Sequence, residues 1–176
     1  MSQASKHVEW CLNKAKKEVE EYKRIGKRSK HRGLLKGKQD IDEAKRHLLK
    51  AEHNLDGVKR FREIGFSDWS ISAGFYCIYH CFLAIAAKFG YESTNQTCTI
   101  SLMRFLRETN KIQMDEKFIE LLEYENIENT HEHSVIGLRE DYTYGVQISV
   151  KDEAKLNELR KICKELLDIA KEIIYK

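Results

Sequence analysis

The stretch from Phe66 to Tyr91 restricts the fold of this chain more than any other. From Ile71 to Ala87 it is apolar or small on nearly every face, with His80 the strongly polar exception. A helix made of such residues has to be surrounded by other helices. Ser67 stands where an N-cap belongs, Asp68 places negative charge at the positive end of the helix dipole, and Gly90 supplies the stop. At about 22 residues and 1.5 Å per residue the helix would just cross a bilayer. Asp68, His80, Lys88 and the charged segments on either side favour instead a buried place in a soluble bundle, so no membrane is expected as a partner.

Proline is absent, 34% of the residues are charged and 41% are hydrophobic, a balance that suits long uninterrupted helices better than turn-rich sheet. The expected fold is all-α: an up-and-down helical bundle with a long buried central helix and short extra helices. One domain is expected overall, with residues 1–38 as an N-terminal amphipathic helix and basic link packing on a bundle of residues 39–176. Met1 to Lys17 carries no apolar run, so the expected location is cytoplasmic, where the five cysteines would stay reduced and no structural disulfide would form. The net charge of +3 does not by itself mark a nucleic-acid binder.

Val8, Cys11, Leu12, Ala15, Val19 and Tyr22 recur at three- and four-residue steps and predict an amphipathic helix from about Ser5 to Ile25. Lys27 to Lys38 holds two glycines, directly after Gly26, and no acid, which reads as a flexible link. A second, one-sided helix is expected from Gln39 to Ile64, on Ile41, Ala44, Leu48, Ala51, Leu55 and Val58. Beyond the central helix, Tyr91 to Thr97 reads as a loop. Shorter helices follow, one ending near Asn110 and one at Asp115 to Tyr124. The helical period fades between Glu125 and Ser149, and a last helix, with Ser149 as its cap, carries Leu156, Leu159, Cys163, Leu166, Ala170 and Ile173 on one face.

Asp68-Trp69, Phe75-Tyr76, Tyr79-His80 and Leu83-Ala84, followed by Phe89-Gly90-Tyr91-Glu92-Ser93, resemble the aromatic-rich third helix and glycine exit of the HEPN domains, which are small helical bundles. Leu138 to Gly145 is similar to the arginine segment that precedes the closing helix of that family. The resemblance covers about Gln39 to Lys176. It implies a homodimer that engages RNA or a nucleotide phosphate, with a nucleotidyltransferase as a partner, and in many members a ribonuclease toxin that uses no metal. In those members an arginine is followed after four to six residues by a histidine. The arginine holds the scissile phosphate and the histidine trades protons with the ribose 2′-hydroxyl and the leaving oxygen. Arg139 stands in the arginine's place, but Tyr144, Gly145 and Val146 occupy the positions where the histidine belongs.

The candidate catalytic residues are therefore Arg139, Tyr144 and His80, the last as a substitute base. Each has a structural alternative: Arg139 in a surface pair with Glu140 or Asp141, Tyr144 with its ring packed, and His80 as a satisfied core histidine. The acid-free run from Lys23 to Lys38 offers Lys27, Arg28, Lys30 and Arg32 as a nucleic-acid-binding set, the alternative being a solvated turn. His131 and His133 have a metal-like spacing but no third ligand near in sequence, so no metal or other cofactor is expected. Two functions stand: a metal-independent endoribonuclease of the toxin class, and a catalytically degenerate binding module of the same fold.

Overall fold

The computed structural model describes residues 2–123 and 134–176. Within them are seven helices and a two-stranded ribbon. Helix α1, Gln3–Arg24, starts on Ser2, whose hydroxyl accepts from the Ser5 N–H, and turns Ala4, Val8, Cys11 and Ala15 inward. Strand β1 is Leu34–Lys36. Helix α2, Ile41–Glu63, is capped by Asp40, carries Asp42 and Glu43 in its first turn, and buries Ala44, Leu48, Ala51 and Val58. Helix α3, Ser67–Lys88, is followed by β2, Tyr91–Ser93, and α4, Gln96–Glu108. Then come α5, Glu116–Glu120, α6, Val135–Tyr144, and α7, Glu153–Tyr175.

The apolar run does lie at the centre. Helix α3 packs against α2, α4, α6 and α7, with Ile71, Ile78, Phe82 and Ile85 sealed from solvent. It is long and apolar enough to cross a membrane, yet 72% of its most apolar window is buried inside the protein. Helix α2 runs antiparallel to α7: Arg62 near its end donates to Glu153 (2.5 Å) and Asn157 (2.9 Å) at the α7 start, while Glu52 pairs with Lys171 (2.6 Å). Helices α3 and α7 run the same way, since Gly74 faces Leu159 and Lys88 Nζ donates to the Ile174 carbonyl at 3.1 Å. Gly74 permits this approach, because a Cβ there would sit 2.5 Å from a Leu159 methyl. Cys77, Cys81 and Cys163 line the same seam as free, buried thiols.

Several local expectations change. Phe66 stands at the N-cap of α3 and makes no side-chain capping bond; the Ser67 hydroxyl instead accepts from the Val150 N–H at 2.8 Å, tying the helix start to the segment before α7. Asp152, not Ser149, caps α7, because its carboxylate reaches both the Ala154 and Lys155 N–H groups. The region expected to lack period contains α6, capped by Ser134. Only Val135 and Ile136 are buried along it, so its sequence carries little helical contrast. The basic link is ordered at its C-terminal end and the loop after α3 is its partner. Leu34, Leu35 and Lys36 pair antiparallel with Ser93, Glu92 and Tyr91, a small departure from a purely helical chain. Gly33 makes this possible, since a Cβ there would lie 2.5 Å from the Cys11 carbonyl oxygen.

The expectation of no disulfide is corrected as well: Cys11 of α1 and Cys98 of α4 are bonded, across a sequence separation of 87. Each falls on the apolar stripe of its own helix, and the two stripes face each other. Helix α1 packs chiefly on α4 and β1, so this bond fastens it to the bundle.

Candidate nucleic-acid interface

One strip of α3 escapes burial. Trp69 and Tyr76, seven residues apart and so on nearly the same side of the helix, are 55% and 45% exposed on an otherwise enclosed element. Helix α2 flanks the strip on one side, where Gly57 meets Ala73 and the Val58 carbonyl accepts from the Ser70 hydroxyl. Helix α6 flanks it on the other, where the hydroxyls of Ser72 and Thr143 lie 3.2 Å apart.

Arg139 projects from α6 and lays its guanidinium over the Phe75 ring, 4.6 Å from the ring centre. The ring beneath holds the planar cation, whose N–H donors point outward from its edge in the ring plane, the geometry that suits an oxygen anion. Phe75 in turn meets Tyr76 edge-on at 5.1 Å and stacks on Tyr79 at 6.2 Å.

His80 occupies the opposite margin. Counting about 100° per residue, it sits roughly 40° from Tyr76 toward α2, whereas Phe75 sits roughly 100° away toward α6. The structure thus places His80 and Arg139 on two flanks of one strip, and the direct partner of His80 is His47 of α2, with the two Nδ1 atoms 3.0 Å apart. His47 Nε2 in turn lies 3.4 Å from Glu43 Oε1. Burial, then the neighbouring His47 and Lys50, push His80 down to about 4. Burial also lowers His47, against the pull of Glu43 and with the push of Arg46. Both rings are therefore neutral near pH 7.

This has a consequence for stability. An unfolded histidine takes up its proton near pH 6.5, while the folded His80 declines it until about pH 4. In that window the unfolded chain binds the extra proton, so the stability present above pH 6.5 is lost as the pH falls. Allowing for the partial exposure of the ring, the loss attributable to His80 is about 1 to 2 kcal/mol. Urea midpoints at pH 7 and pH 4.5 should differ less in His80→Leu than in the wild type. Equal differences would contradict this.

Tyr144 ends α6 with 76% of its surface exposed, beside the exposed Val146 and Ile148. Its ring is therefore wet rather than packed, near the Arg139 side of the strip. Lys27, Arg28, Lys30 and Arg32 are exposed between α1 and β1. The ribbon anchoring that segment follows the far end of α3, roughly 20 Å along the helix from Phe75. The structure does not bring this basic set and Arg139 together. His131 and His133 lie outside the described residues.

A helical bundle whose long buried helix is joined by an arginine-bearing helix before a closing one is the arrangement the resemblance implied. The family model for the HEPN domain matches residues 44–175. The chain belongs to the HEPN domain family. No curated protein matches it. Both flanks of the strip, Arg139 and the His47–His80 pair, fall inside the HEPN match, whereas α1 and β1 precede it. Sequence reasoning missed Phe75 as the seat of Arg139 and His47 as the partner of His80. The spacing of Trp69, Tyr76 and His80 at steps of seven and four was the available signal for an uncovered face on the central helix.

Proposed function

We propose that this HEPN domain is a binding module for single-stranded RNA, with Arg139 taking a backbone phosphate and Trp69 and Tyr76 offering their rings to bases. The observation that carries the reading is the guanidinium seated on Phe75 beside the exposed rings of Trp69 and Tyr76. A cation with outward-pointing donors beside exposed aromatic rings matches what a flexible polyanion with stackable bases needs. Tyr144, at the edge of the same surface, is placed to donate to a phosphate or sugar oxygen.

The ribonuclease reading is weaker on the same geometry. Cleavage by 2′-hydroxyl attack needs a base and then an acid. The positions after Arg139 supply no histidine, and His80 at about 4 is a feeble base that holds no proton to give near pH 7. Binding without cleavage follows. The homodimer and the nucleotidyltransferase partner belong to the proposal on the strength of family resemblance, and the basic set around Lys27 is a candidate for extending contact along the strand.

The test is incubation of the purified chain with end-labelled single-stranded RNA in EDTA, comparing wild type with Arg139→Ala. The expected result is an intact RNA retarded by the wild type and released by the variant. Cleavage that Arg139→Ala abolishes would replace this reading with the enzyme, and retention unaffected by the substitution would remove Arg139 from the site.

A further inference from the structure

We infer that Glu43, His47 and His80 form a chain that fixes the His80 tautomer, presenting its Nε2 as a hydrogen-bond acceptor for a ribose 2′-hydroxyl, so that the α3 face selects RNA over DNA. This rests on the reading of that face as the place where a nucleic-acid backbone lies.

The two Nδ1 atoms, 3.0 Å apart, share one proton, which belongs to one ring or the other. Glu43 decides which. Its carboxylate lies 3.4 Å from His47 Nε2, and Arg46 donates to its other oxygen at 2.6 Å. The negative oxygen favours the His47 proton on Nε2, which leaves His47 Nδ1 as a lone pair. The proton between the rings is then the one on His80 Nδ1, and His80 Nε2 is bare. Lys50 of α2 adds positive charge on the same side and opposes a second proton on the ring.

Among the described residues no protein group is bonded to His80 Nε2, and the ring is only half-buried, so this acceptor is open. A phosphate offers it nothing, because phosphate oxygens only accept. Phe75 and His80 are about 7.5 Å apart along the helix axis, roughly two stacked nucleotides. On a strand whose phosphate is held over Phe75, the donor that every residue of RNA carries beside its backbone is the 2′-hydroxyl, the group by which proteins tell RNA from DNA.

The test uses the full chain with three probes: oligouridylate, oligodeoxyuridylate and 2′-O-methyl oligouridylate. RNA is expected to bind about tenfold tighter than either of the others, the worth of one well-made hydrogen bond. His80→Phe should bring RNA down to the level of DNA without weakening DNA binding. Glu43→Gln, which touches no ligand, should narrow the ratio. Nitrogen-15 NMR of the free protein should show His80 protonated on Nδ1 and His47 on Nε2. Equal affinity for RNA and DNA, a 2′-O-methyl probe that binds like RNA, or His80 found protonated on Nε2 would each overturn the inference. If Arg139-dependent binding is seen but is equal for RNA and DNA, only this inference falls. If no probe binds in an Arg139-dependent way, the proposed function falls and takes the inference with it.

Discussion

Arg139→Ala should weaken single-stranded RNA binding by ten- to a hundredfold. A hydrogen bond to a charged group is worth about 1.5 to 3 kcal/mol, and the substitution removes the donors and the charge together. The slope of log affinity against log salt should fall by about 0.7, the share of one phosphate contact on a single strand. Arg139→Lys keeps the charge but loses the planar fork that lies flat on Phe75, so its affinity should fall between the two. Folding is not at stake: a cation–π contact from a partly exposed arginine contributes about 1 kcal/mol, so the urea midpoint should move little. A filter-binding titration across salt concentrations checks the affinities and the slope, and a urea titration checks the stability. An alanine variant within twofold of the wild type would mean that the guanidinium meets solvent rather than RNA.

Reduction of the Cys11–Cys98 bond should lower stability by about 4 kcal/mol. The bond spans a sequence separation of 87, and releasing a loop of that size restores a large chain entropy to the unfolded state. Little else compensates, because α1 rests mainly on α4 and β1 and buries only small residues besides Val8 and Cys11. The urea midpoint should drop sharply in dithiothreitol, while a Cys11→Ala/Cys98→Ala variant should start low and ignore the reductant. Thiol titration of the denatured, unreduced chain should find the three cysteines 77, 81 and 163. Five free thiols and a midpoint indifferent to dithiothreitol would refute the link.

How much of this was readable beforehand depends on whether the information was local. The burial of α3 was legible because residues apolar on all sides leave a helix no alternative, and α1, α2 and α7 were legible because each carries one strong stripe. Helix α6 was not, since ten residues burying only two offer the period too little contrast. The β1–β2 ribbon joins residues far apart in sequence, and its strands are too short to show alternation. Of the site, Arg139 was named through family resemblance, and His80 because it is an odd polar residue on an oily helix. Their partners were out of reach. His47 lies 33 residues before His80, and nothing in either neighbourhood says the rings meet. The disulfide was missed because cytoplasmic reasoning argued against pairing, and spacing alone cannot oppose it.

The central claim is that RNA lies on the exposed strip of α3 beside Arg139. Of the two tryptophans, Trp69 is on that strip and Trp10 is on α1, so Trp10→Phe leaves one reporter at the site. Titrating this variant with oligouridylate should quench Trp69 emission, saturating at the concentration where binding saturates and disappearing with Arg139→Ala. Binding that saturates while Trp69 emission stays constant would place the RNA elsewhere on the molecule and contradict the account.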